Sequence, residues 1–204
     1  KPWLFETGIH PNFQPGSSHG SGVHDVLNHC LEVCPEASAM RTHSLHQSSR
    51  MFQIIDAEYP QLEVDVSLFL PFHKGLAPVW WATEKRPVSK ALMRIPYYWE
   101  DDTAALWHNW SWDSALPGHD GIKIFNFHPI HVALNMSCMD QYEALKEAYP
   151  DRPLHSLSEK EVRPFVNPGA GSRTFLSTIL QQRAYEPAMT ISEIARHFRK
   201  TMTS

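Results

Sequence analysis

Short extended segments alternate with amphipathic helical ones along most of this chain, and that alternation narrows the fold to the α/β class with a mainly parallel sheet. Residues 3–9 read as a short strand ending in Gly8-Ile9. In residues 23–34, Val23, Val26, Leu27, Cys30, Leu31 and Cys34 fall at helical spacing, and Pro35 stops that helix. Residues 51–59 are predicted helical. Leu62, Val64, Val66 and Leu68 alternate with polar residues, a period of two that predicts a strand over 62–69. Residues 78–82 and 91–96 are short extended pieces, and 122–127 is the clearest strand. Further helices are predicted over 140–149, 173–183 and 190–199, the last opened by a Thr190-Ile191-Ser192-Glu193 capping box. Polar, histidine-bearing loops follow several strands, the edge at which such folds bind ligands.

Composition removes several classes. At 204 residues and 42 % hydrophobic the chain fills one ordinary domain, or one domain with a modest extension. With 18 basic and 22 acidic side chains and no basic run, a nucleic-acid-binding stripe is excluded. No apolar stretch approaches the roughly 20 residues of a transmembrane helix, and no signal peptide is visible. Three cysteines do not make a disulfide framework, so free thiols and a reducing cytoplasm are expected. Thirteen histidines and seven tryptophans suit a metal site or a carbohydrate cleft. Because Lys1 runs straight into apolar sequence without a Met, the true N-terminus is expected upstream.

Four constellations carry candidate chemistry. In Glu6-Thr7-Gly8-Ile9-His10, a histidine just past a strand end is either a metal ligand or a loop residue bonded to backbone. Arg41-Thr42-His43-Ser44-Leu45-His46-Gln47 sets two histidines beside an arginine, fit for a metal or an anionic oxygen, or else a polar helix start. Phe125-Asn126-Phe127-His128-Pro129-Ile130-His131 delivers an imidazole from a strand end, where a near-neutral pKa suits acid–base work, or else is a capped strand end. Ile95-Pro96-Tyr97-Tyr98-Trp99-Glu100-Asp101-Asp102 joins an aromatic run to three acids, which suits sugar stacking and hydroxyl binding, or an edge strand with a solvated turn. Cys30 and Cys34, four apart on an apolar stripe, read as core.

Taken in order, these constellations resemble the polysaccharide deacetylase superfamily, the NodB homology domain, and within it the WbmS-like branch linked to bacterial surface-polysaccharide (O-antigen) biosynthesis. The first is similar to the family's second motif, whose His binds the metal, and the second to a variant of its third motif. Residues 64–71 and 94–102 resemble its fourth region, and Phe127-His128-Pro129-Ile130-His131 resembles the last motif, whose His is the general acid. The likeness runs from about residue 4 to residue 134.

The resemblance implies a NodB-type distorted (β/α) barrel, lacking its first strand or strands here, with 1–204 as one N-terminally incomplete catalytic domain. It implies metal-dependent hydrolysis of an N-acetyl or N-formyl group on an amino sugar. The cofactor implied is a divalent ion, with zinc expected. His10 is the implied ligand. Gln14 stands where the family has its second His, so His43 and His19 are the candidates to complete the set. His128 is the implied acid, and Arg41 orients a base Asp expected upstream of Lys1, without which the chain alone is expected to be inactive. Tyr98, Trp99, Glu100, Asp101 and Asn12 are the implied sugar contacts. In an extended segment His131 would face away from His128. The alternative is a non-catalytic carbohydrate-binding or scaffold protein of the same fold.

Overall fold

The computed structural model describes residues 5–71, 73–83, 87, 90–113, 121–182 and 189–201. The helices in chain order are α1 (Val23–Val33), α2 (Ser49–Glu58), α3 (Asp101–Ala104), α4 (Pro129–Leu134), α5 (Met139–Ala148), α6 (Glu159–Val162), α7 (Ser172–Gln182) and α8 (Ile191–Thr201). The strands are β1 (Ala39–Met40), β2 (Val64–Phe69), β3 (Val79–Trp81), β4 (Leu92–Tyr97), β5 (Trp99–Glu100) and β6 (Phe125–Asn126). The chain divides into two compact units: Lys1–Tyr98 with Asp120–Lys123 and Met189–Ser204, and Trp99–His119 with Ile124–Ala188.

The first unit is built on a four-stranded sheet in the order β1-β2-β4-β3. Strands β1, β2 and β4 run parallel, and β3 closes one edge antiparallel to β4. The predicted strand over 3–9 reduces to a bridge from Ile9 to Met40, and its residues 3 and 4 lie outside the described residues. Gly8 is required there, because a Cβ would stand 2.8 Å from the Ala39 carbonyl oxygen. Leu27, Met51, Ile55, Leu62 and Leu92 are buried together on the α1 and α2 side.

The alternation in β2 is real, but its polar positions are not solvent-facing: Val64, Asp65, Val66 and Ser67 are all buried, as both faces of a parallel strand usually are. Between the pairs Asp65↔Arg94 and Leu68↔Pro96 the register slips, β2 carrying one residue more than β4. Pro96, which has no N–H to give the ladder, sits at that irregularity. The Thr190 capping box forms as predicted, with the Thr190 N–H donating to Glu193 at 2.8 Å. Glu6 joins it from the other end of the chain, accepting from the Ser192 N–H at 2.9 Å and its hydroxyl at 2.6 Å.

The second unit holds a parallel two-stranded ladder, β5 with β6, around an aromatic core. Trp99, fully buried, packs within 4.9 Å of both Phe127 and Phe175 and within 5.6 Å of Trp110, centroid to centroid. The α/β class is therefore observed. Among the described residues neither ladder, of four or two strands, closes on itself, so the distorted barrel is not formed by them. Also among the described residues, no helix is long and apolar enough to cross a membrane, and Cys30, Cys34 and Cys138 are free.

Candidate functional site

In the second unit the chemistry gathers on Asp101. Strand β5 ends at Glu100, and α3 begins at once with Asp101, whose carboxylate is fully buried. His128 is the N-cap of α4, and it grips that carboxylate twice. Its backbone N–H donates to Oδ2 at 2.9 Å and its Nδ1 lies 2.7 Å from Oδ1. His131 Nδ1 reaches the same Oδ1 at 3.2 Å, and the Ser172 hydroxyl donates to Oδ2 at 3.1 Å. A carboxylate only accepts, so the His128 Nδ1 carries the proton, and Nε2 is left on the side of Glu100, 4.0 Å away. Side-chain exposure is 33 % for His128, 6 % for His131 and nil for Asp101.

This geometry sets the charges. Burial works to raise the Asp101 pKa, but the bonds from His128 and His131 outweigh it and hold the carboxyl well below the usual carboxylate range. The Asp101 bond pushes the His128 pKa up, against the opposing effect of burial, with further help from the charges of Asp102 and Glu100. The result is an imidazole ring oriented by a buried carboxylate and biased towards its protonated form.

His131 departs from expectation. Pro129 starts α4, so residues 128 and 131 stand one helical turn apart and turn to the same partner, their rings 4.8 Å apart. The sugar-binding roles expected of residues 98–101 also meet an obstacle. Tyr98 is 5 % and Trp99 0 % exposed, the Tyr98 hydroxyl is pushed up in pKa by burial, and the Asp101 oxygens are taken up by the two histidines and Ser172. Glu100, also buried, accepts from the Asn126 amide and lies 4.0 Å from His128 Nε2.

In the first unit His10 and His43 come together at the surface, their rings edge to face at 5.5 Å. Backbone bonds set this up: Ile9 N–H to Ala39, Arg41 N–H to Ile9, and His43 N–H to Pro11, all between 2.9 and 3.0 Å. His19 is not part of the set. Its Nδ1 accepts from the Asn12 N–H at 3.2 Å, and its ring lies 5.0 Å from His29 and beside Cys30. No cluster of three donors within 4.8 Å includes His10, His43 and His19 among the described residues. Asn12 itself closes a turn, accepting from Gln14 N–H at 3.0 Å. The Arg41 guanidinium donates to the Tyr97 hydroxyl at 3.2 Å and lies over that ring.

As a metal centre, the His10–His43 pair has the right donor chemistry but supplies two of the three protein ligands a catalytic zinc takes. Asp101, His128 and His131 do offer three donor atoms within 4.8 Å, as do Glu100, Asp102 and His128. Sequence reasoning missed Ser172, which approaches Asp101 from 71 residues away with no local signal. It also missed the role of Asp65, whose signal was a charge inside an apolar strand.

The comparisons agree with the motifs. The family model described as "WbmS-like: Polysaccharide deacetylase" matches residues 1–146. A crystal structure from Bordetella bronchiseptica, described as a polysaccharide deacetylase involved in O-antigen biosynthesis, is similar with a TM-score of 0.72 and 33 % identity, over 89 % of this chain and 71 % of that one. No curated protein matches the sequence.

Proposed function

Because this chain belongs to the WbmS-like polysaccharide deacetylase family, we propose that it hydrolyses an N-acyl group, acetyl or formyl, on an amino sugar during surface-polysaccharide (O-antigen) biosynthesis. The reading treats 1–204 as one catalytic domain and extends the observed α/β architecture to the family's distorted (β/α) barrel. The observation that carries it is the 2.7 Å pairing of His128 with the buried Asp101.

An amide C–N bond breaks only if its nitrogen leaves as an amine, so a proton must be delivered as the bond opens. His128 is built for this. Its Nδ1–H is committed to Asp101, which orients the ring and leaves Nε2 as the nitrogen that hands over a proton. The Asp101 bond and charge raise the pKa of the ring and so favour its protonated form against the cost of its partial burial. His131 and Ser172 hold Asp101 itself. A divalent ion, zinc in this reading, supplies when bound a Lewis acid and lowers the pKa of water from about 16 towards about 7. His10 and His43 are the residues proposed to hold it. Arg41, fixed on Tyr97, is proposed to orient a base by a charge-assisted bond. No described residue is assigned as that base.

The test is release of acetate or formate from N-acyl amino sugars by the whole protein, lost on chelation and restored by divalent ions. His128→Ala should lower kcat by about 10²- to 10⁴-fold while metal content stays at the parental value. Metal loss on that substitution would make His128 a ligand, with Asp101 and His131. Absence of turnover on every N-acyl sugar, with sugar binding retained, would favour the non-catalytic carbohydrate-binding reading.

A further inference from the structure

The loop carrying His43 is held in a conformation its own sequence does not favour. Ser44 and Leu45 both adopt positive φ, 51° and 53°, which side chains other than glycine rarely occupy. Such a pair persists only where its surroundings fix it, and the surroundings here are a chain of side chains that the proposed chemistry does not use.

The chain starts at Asp65, fully buried in β2. Its Oδ2 accepts from Arg94 Nε at 2.8 Å, and its Oδ1 accepts from the Ser67 N–H at 3.1 Å. Arg94 lies over the Phe52 ring at 4.5 Å and donates its Nη2 to Gln47 Oε1. With its oxygen so held, the Gln47 amide points its Nε2 at two carbonyls, Ser67 at 2.8 Å and Leu45 at 3.2 Å. Ser67, in the residue pair where β2 outruns β4, turns its hydroxyl to accept from the Thr42 N–H at 2.9 Å. The loop is therefore gripped on both sides of His43, at Thr42 and at Leu45, by groups that all trace back to one buried carboxylate.

We propose that Asp65, Arg94 and Gln47 are positioning residues that lock the 41–47 loop and so set the His43 imidazole against His10 for metal binding. This rests on the reading of His10 and His43 as ligands. Gln47 is the decisive element. It is exposed, so it contributes little to the core, yet it is the link between the buried ion pair and the left-handed residues. Outer groups that orient a ligand typically change metal affinity by about 10- to 100-fold when lost.

The experiment uses cobalt(II) as the probe with the whole protein, reading its dissociation constant by competition with a chromophoric chelator and its visible spectrum for coordination geometry. Gln47→Met keeps the length of the side chain and removes its hydrogen bonds. It should weaken cobalt binding about 10-fold and alter the spectrum, with the melting temperature within about 2 °C of the parent. Arg94→Lys keeps a cation at Asp65 but loses the reach to Gln47, and it should give the same spectrum as Gln47→Met. His10→Ala separates the two claims. If it binds cobalt as the parent does, the ligand reading fails. If it loses cobalt while Gln47→Met and Arg94→Lys retain parental affinity and spectrum, the positioning role is overturned. A fall in melting temperature with unchanged cobalt affinity and spectrum overturns it equally.

Discussion

Asp101 and His128 form one titrating pair, and their opposed shifts fix where it works. The depressed Asp101 pKa contributes stability that is present above the unfolded carboxylate value, about 3.9, and is lost as pH falls through the folded value. The raised His128 pKa contributes stability that is present below about 6.5 and is lost as pH rises through its folded value. Their interaction is therefore complete between about pH 4 and 6.5. In catalysis the same shift extends the protonated acid upward, so the alkaline limb of kcat/KM should lie above about 6.5. Asp101→Asn removes the anion, and that limb should move to lower pH along with a fall in kcat. A limb that stays in place would detach Asp101 from the titration of His128. His19, whose Nδ1 serves the Asn12 N–H rather than the His10–His43 pair, should tolerate Ala with metal content unchanged, whereas His10→Ala should lose metal. Equal stoichiometry in the two variants would refute that ranking.

At the scale of elements, α4 shows what a strand-end motif conceals. Residues 127–131 read as extended because they continue a strand pattern, but Pro129 suits a helix's first turn as well as it suits an extended piece. Only packing decides, and it brings His131 onto Asp101. The helix ends at Asn135, whose φ is 46°. Its amide donates to the carbonyls of Asn167 at 2.9 Å and Gly169 at 2.7 Å, and its Oδ1 accepts from Thr174 N–H at 3.1 Å. These bonds seat the start of α7, and with it Ser172 at Asp101. A Cβ on Gly171 would stand 2.0 Å from the Asn135 backbone carbonyl oxygen, so Gly171→Ala should destabilise by at least about 1–3 kcal/mol. Asn135→Ala, which leaves two carbonyls unpaired, should cost a similar amount. Denaturant midpoints would check both, and a parental midpoint for Gly171→Ala would mean that α4 and α7 are not in this contact.

Over the whole molecule, the features legible in sequence were those written within one segment. The apolar spacing of α1, the alternation of β2, the Thr190 box and the four motif stretches all declare themselves locally. What stayed hidden depends on distant residues meeting: the burial of Asp65 and Ser67, the arrival of Ser172 at Asp101, and the enclosure of Trp99. An aromatic run beside acids looks the same whether it lines a cleft or fills a core, and Trp99 fills one. Trp99→Ala should therefore cost about 3–5 kcal/mol and flatten the near-ultraviolet circular dichroism; a stable, active variant would return Trp99 to the surface. The path of the chain carries its own consequence. The unit that begins with residue 5 of the described chain is capped by α8, through Glu6 on Ser192 and through Arg199 on the Ala91 carbonyl at 3.1 Å. On a ribosome the early strands therefore emerge long before their last helix, and must wait through the synthesis of the whole second unit. A stop codon just before α8 would be felt first at the opposite end of the chain, beside His10.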